Sequence, residues 1–332
     1  AVLGAATDIY LLVPLGGLLL GTASTANYAA RYAAADLASE EHRAKAIGTL
    51  MWAVTVGAVL GPTLALGIAA DFAESLGLPG LAGPYLLAIA LLGIAVAVVN
   101  KYLRPDPLEV SGHLGDATAT RELKPAVVAI AASSPAKLAT SAMVASHFVM
   151  VSIMSMTPLH MKDGNQQLQV IGFVISLHVL GMYGFAPIIG RVVDRIGPRL
   201  VIATGGVILF AGAELVSSTP STDRTGLFIG LFAIGVGWSL SIISASSLLT
   251  GSFAGNERVM VQGAADFAMT TTGAIAGFAA GFVMQQWGFA NLSRYVAFAG
   301  LALTLYAMSS YLRKQRSDPT SSPLPAPDSA GV

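Results

Sequence analysis

Apolar residues along this chain come in runs close to 20 residues long, separated by short segments that hold nearly all of the charge. About 20 apolar residues is the length of an α-helix that crosses a bilayer. Nine such spans are predicted, at about Ile9–Ala30, Ile47–Ala69, Tyr85–Val99, Leu138–Met156, Leu168–Ile189, Leu200–Val216, Leu227–Leu249, Val259–Met284 and Leu292–Ser310. The third span can reach back to Leu81, because Pro84 is tolerable in a first helical turn. Ala126–Ala132 reads as a short surface helix that Pro135 ends. The pattern predicts an all-α polytopic membrane protein.

The polar segments divide these spans. Residues 1–100 hold a stub, Ala1–Ala6, and three spans of a partial N-terminal bundle. Lys101–Pro125 is too polar to be buried, so residues 101–135 are expected to form a central cytoplasmic linker. Residues 136–312 make a six-helix C-terminal bundle, and 313–332 a disordered tail rich in Pro and Ser. Alternating the spans leaves only Lys162, Arg224 and Arg294 on one side of the membrane. The remaining Lys and Arg gather on or near the other side, which the positive-inside rule makes cytoplasmic. The C-terminus is then inside, the stub outside, and the location a cell inner (plasma) membrane.

Composition narrows the chemistry. Charged residues make up 11% of the chain, far below the roughly 25% of soluble proteins, and hydrophobic residues 54%. Net charge is zero and no basic face is interleaved with aromatics, so a nucleic-acid partner is not expected. Cysteine is absent, which removes disulfides and thiolate chemistry. There is no zinc signature, nucleophile elbow or P-loop, so neither an enzyme, a metal site nor a cofactor is expected. The chain opens without an initiator Met or a basic leader, so the numbering is expected to begin inside a longer protein.

Between the fifth and sixth spans stands GRVVDRIGPR, Gly190–Arg199, a charged turn held between two apolar runs. The approaches to the second and eighth spans also repeat. Arg43 and Gly48 stand five apart, as do Arg258 and Gly263, with Glu41 and Glu257 near the arginines. One residue later in register, Gly57 and Gly61 answer to Gly273 and Gly277. Parallel duplicated halves are one plan of secondary transporters. By the same offset a counterpart of the charged turn would lie upstream of residue 1, and three further helices would complete twelve.

These residues resemble the major facilitator superfamily of transporters, over roughly its fourth to twelfth helices. Gly190, Asp194, Arg195, Gly197 and Arg199 match its second-half cytoplasmic signature, G-x-x-x-D-R-x-G-x-R. GAVLGP, Gly57–Pro62, resembles the fifth-helix signature of proton-coupled antiporters, although the next glycine, Gly67, comes later than in that pattern. The run from Asn27 to Pro62, with MSMTPLHM, is similar to uncharacterised actinobacterial members. The resemblance implies two bundles rocking around a central site, a monomer when full length, and Asp194 latching the cytoplasmic faces together.

A carboxylate such as Asp194 can accept N–H bonds at a neighbouring helix start. The eighth span, near Arg258–Gly263, is the expected partner, with Arg191, Arg195 and Arg199 pairing with Glu257 and lipid phosphates. Gly57, Gly61 and Pro62 are expected to allow close helix contact and a bend that gates the outer side. Ionisable groups at membrane depth are functional candidates by default. Asp266 can hold a proton or a cationic substrate, with Gln262 on its face, or it can be a fixed partner of Arg31. Arg31 is a candidate substrate or proton residue that can face the cavity or snorkel to the headgroups, Asn27 is a candidate substrate contact, and His147 and His178 are candidate proton sites or hydrogen-bonded structural histidines. Met143, Met150, Met154, Met156, Trp52 and Trp238 can line a cavity or simply pack, and Glu214 can reach water. The expected activity is alternating-access transport of a small amphipathic or hydrophobic solute, with proton-coupled export ahead of metabolite uptake. The expected partners are the bilayer, the solute and protons. The chain as numbered can also be a fragment that does not transport.

Overall fold

The computed structural model describes residues 30–35, 37–66, 68–105 and 123–317, with isolated positions (2, 9, 11, 12, 15 and 16) before them. The first predicted span, Ile9–Ala30, therefore lies outside the described residues except at positions 9, 11, 12, 15, 16 and 30, and residues 30–35 are helical. The tail beyond 317 and residues 106–122 lie outside them too.

Among the described residues ten helices follow in order, with a short 3-10 turn before the first (Glu40–His42) and another between the second and third (Gly80–Ala82): α1 Arg43–Leu66, α2 Ile68–Ser75, α3 Gly83–Tyr102, α4 Leu123–Ala132, α5 Ser134–Asp163, α6 Leu168–Tyr183, α7 Ala186–Ile196, α8 Pro198–Ser218, α9 Arg224–Thr250 and α10 Gly255–Ser317. Among the described residues six helical stretches are long and apolar enough to cross a membrane, with α6 and α7 counted as one and α10 counted once. The helices run past the apolar windows because a helix satisfies its own amides wherever it goes, whereas the apolar pattern stops at the lipid boundary. Pro135 thus sits in the first turn of α5, where Ser133 Oγ accepts the Ala136 amide. Asp223 caps α9 by accepting the Thr225 and Gly226 amides.

Two reversals depend on glycine. Gly197, at φ 88°, is all that separates α7 from α8, so the expected charged turn is narrower than its sequence: Gly190–Ile196 is helix. Pro187 lies in the first turn of α7, just after α6 stops at Tyr183. Gly288, at φ 80°, divides α10 into two arms. The first arm runs beside α5, with Gly273 against His147 and Gly277 against Val151. The second runs back along α8, with Ser217 bonded to the Ala290 carbonyl and Arg199 to Ser310.

The core lies among α5, α8, α9 and α10. α9 is apolar or small on every side, the signature of an enclosed helix, and it is buried almost continuously from Ile234 to Thr250. In lipid there is no hydrophobic drive between helices, so close packing must hold them. Small residues permit it: Gly212 faces the Gly230 carbonyl, and Gly237 the Gly205 carbonyl, across α8 and α9. α3 is exposed from Ile89 to its end at Tyr102. α1 packs chiefly on α7, with further contact to α6 and α9.

Candidate functional site

Asp194 projects from α7 to the start of α1. Its Oδ1 accepts the Ala44 amide at 3.1 Å and its Oδ2 the Lys45 amide at 3.0 Å. The first amides of a helix have no partner within it and carry the positive end of the helix dipole. The expected chemistry is therefore present, but on a different helix. Asp194 meets the second predicted span and not the eighth, because the helix packed beside α7 is α1. Arg43 and Arg258 stand at equivalent starts in sequence, and only packing chooses between them.

That approach is close because both sides are glycine. A Cβ on Gly190 would fall on the Ala44 carbonyl oxygen and within 2.7 Å of the Lys45 Cα. A Cβ on Gly48 would fall on the Ala186 carbonyl. Arg43 is buried beside Gly251 at the end of α9.

The other members of the charged group part company. Arg191 and Arg195 are exposed, and Arg199 donates to Ser310 at 3.3 Å. Arg258 Nε donates to the Phe253 carbonyl at 2.8 Å. Among the described residues no ion pair joins Glu257 to Arg191, Arg195 or Arg199, so that expected pairing is corrected: Glu257 is exposed.

A second junction lies deeper. Arg31, in the helical residues 30–35, is 3% exposed and forms an ion pair with Asp266 on the first arm of α10. The pairing of Asp266 with Arg31 that the sequence offered as one alternative is present. Arg31 Nη2 also donates to the Tyr32 hydroxyl at 3.2 Å, and its guanidinium lies 4.7 Å from the Tyr32 ring centre. The Tyr32 hydroxyl lies 3.5 Å from Asp266 Oδ1. Sequence reading passed over Tyr32, whose only signal is its place beside Arg31. Gln262, one turn before Asp266, is buried and spends its amide on Thr250 Oγ1 at 3.1 Å.

His147 on α5 accepts at Nδ1 from Trp238 Nε1, at 3.3 Å. Tyr183 packs edge-on to Trp238, with centroids 5.7 Å apart, so α5, α6 and α9 converge there. His178 is buried, and its Nδ1 lies 2.7 Å from the Leu231 carbonyl, tying α6 to α9 as a structural histidine would. Met143 and Met150 are buried in the core, with Met154 and Met156 packed against it. Glu214 pairs with Arg294 at 3.6 Å between α8 and the second arm of α10.

Gly57, Gly61 and Pro62 lie within α1, which continues to Leu66. Among the described residues nothing comes within 4 Å of a Cβ at Gly57 or Gly61, and the neighbouring Trp52, Val56 and Leu60 are exposed. Asn27 lies outside the described residues. Among those residues no group of three His, Asp or Glu could hold a metal ion.

Both junctions join helices that precede the central polar segment to helices that follow it, through charged side chains. The sequence profile of the Major Facilitator Superfamily matches residues 1–167 and 138–330. An uncharacterised MFS-type transporter of Bacillus subtilis, YdeG, is 33% identical over 86% of this chain and 67% of its own length. A second from that organism, YddS, is 33% identical over 83% of the chain and 64% of its own. The riboflavin transporter RfnT of Brucella anthropi is 27% identical over 89% of the chain and 71% of its own. The chain spans about two thirds of the length of these relatives.

Proposed function

Because the chain belongs to the Major Facilitator Superfamily, a family of membrane transporters and not of enzymes, we propose that it is the larger part of a secondary transporter working by alternating access. The observation that carries this reading is the pair of junctions: Asp194 on Ala44 and Lys45, and Arg31 on Asp266. Both join helices that precede the central polar segment to helices that follow it. Both rest on polar groups that an opposing conformation can separate and resolvate. On the topology set by the basic loops, with the C-terminus inside, they lie toward the cytoplasmic side and hold it shut while the outer side is open. Asp194 is the latch, and Arg191, Arg195, Gly190, Gly197 and Arg199 shape the segment that carries it.

The cargo is a small amphipathic or hydrophobic solute, and protons supply the drive. Export is the direction implied by GAVLGP, with Gly57, Gly61 and Pro62 shaping the gating helix. The Arg31–Asp266 pair favours a second reading, uptake in company with protons, because it offers an acid that an arriving solute can free. Flux separates the two. The protein encoded by the complete gene is placed in everted vesicles, and amphipathic dyes and organic acids are added against an imposed pH gradient. Export predicts dissipation of the gradient in everted vesicles, and uptake predicts accumulation in right-side-out ones. Absence of gradient-dependent flux in both orientations, at verified insertion, would overturn the transport reading.

A further inference from the structure

We propose that α4, Leu123–Ala132, is a membrane anchor outside the spans: it lies in the boundary between headgroups and acyl chains, with its exposed apolar face on lipid and Lys124 and Lys137 on lipid phosphates. The inference rests on the membrane assignment and is independent of solute, coupling and direction of transport. On the topology proposed above, the leaflet is the cytoplasmic one.

Residues 123–132 read LKPAVVAIAA, apolar throughout except for Lys124. Ten helical residues reach about 15 Å, half of the hydrocarbon core, so α4 is too short to cross. One side of it is taken by protein. Ala126 is buried, Ala129 and Ile130 pack against the core, and the helix touches α10 and α5. The other side is open: Lys124, Val127, Val128 and Ala131 are exposed, and their spacing puts them on one stripe. Val127 and Val128 are 52% and 60% exposed.

Three observations point to lipid as what covers that stripe. The first is continuity. Only Ser133 separates α4 from α5, whose apolar run is long enough to cross the membrane. Ser133 Oγ accepts the Ala136 amide and fixes the start of α5, so the end of α4 is held at the same depth. The second is composition: an apolar helix with a basic residue at one end and a length short of a span suits the interfacial plane. The third is charge. From Leu123 to Lys137 the ionisable residues are two lysines and no acid, both lysines are exposed, and neither has an ion pair among the described residues. A lysine near an anionic leaflet gains about fivefold in binding. Its stem can lie along the apolar stripe while the ammonium reaches a phosphate. Pinned by lipid on one side and by α5 and α10 on the other, α4 moves with those helices.

The test uses the purified protein of the complete gene in lipid vesicles. The chain has no cysteine, so single nitroxide labels are placed at Val127→Cys, Val128→Cys and Ala131→Cys, with size exclusion and melting as controls of folding. Power saturation compares access to oxygen, which concentrates in lipid, with access to a nickel chelate, which stays in water; spin-labelled lipids give the depth scale. The three labels should lie about 5–10 Å below the phosphates. They should sit deeper in vesicles containing phosphatidylglycerol than in phosphatidylcholine alone, and Lys124→Gln/Lys137→Gln should abolish that difference. Nickel access exceeding oxygen access at Val128 would place the stripe in water and overturn the proposal. Exclusion of both reagents at all three positions would place protein there, and would overturn it too. A depth that ignores phosphatidylglycerol, or a difference that survives the double lysine variant, would overturn the assignment of the lysines to phosphates. Flux is read separately, so a protein that transports with its Val128 label in water loses only this inference.

Discussion

Gly190 lies so close to Ala44 that a side chain at 190 would clash with the Ala44 carbonyl oxygen. Two helices distant in sequence touch there through backbone, and that contact sets how near Asp194 can come to the amides of α1. Gly190→Ala should therefore be destabilising by about 1–3 kcal/mol, the cost of overpacking, despite the helix preference of alanine. Gly263→Ala is the comparison, since Gly263 is exposed with no described atom within 4 Å of its Cβ position. It should gain roughly 0.5–1 kcal/mol. Thermal unfolding of the two purified variants checks the order, and the opposite order would remove the close contact.

Asp194→Asn keeps one acceptor oxygen and loses the charge that complements the start of α1. A loss of about 1–2 kcal/mol is expected, which shifts the balance of closed and open forms by about five- to thirtyfold. The chain has no cysteine, so spin labels can be placed at Glu40→Cys and Ile196→Cys without background. Their distance distribution should broaden toward longer separations in the Asn variant. An unchanged distribution would deny Asp194 a role in closure.

Arg31 and Asp266 should couple strongly. Breaking a buried pair costs about 3–5 kcal/mol, because the partner left behind is uncompensated. The double variant Arg31→Gln/Asp266→Asn should cost less than the sum of the two single ones. Melting temperatures of the four proteins give the cycle, and simple additivity would mean that the pair is not formed.

His178→Phe should cost about 1–3 kcal/mol by leaving the buried Leu231 carbonyl without that partner. Its flux, corrected for folded protein, should keep the pH profile of the parent. A displaced profile would return His178 to the candidates for a proton site.

The spans after the central polar segment were legible because membrane helices announce themselves by length and apolar content. The motif at Gly190–Arg199 was legible as a charged joint, although seven of its residues, Gly190–Ile196, are helix and only Gly197 turns. Periodicity cannot tell a polar helical end from a polar loop, since both lie beyond the lipid. Asp194 was recognisable as a carboxylate in search of a helix start, yet the sequence offered two equivalent starts, at Arg43 and Arg258.

Sequence alone determined the all-helical membrane class, the family, and the few ionisable groups placed at membrane depth, because the bilayer filters residues one position at a time. The tertiary structure decided which of those groups meet: Asp194 with Ala44 and Lys45, Arg31 with Asp266, and His147 with Trp238. Such pairings depend on the rotation and approach of helices far apart in the chain. Those are set by where backbones can touch, as at Gly48 and Gly190, and no single segment carries that information.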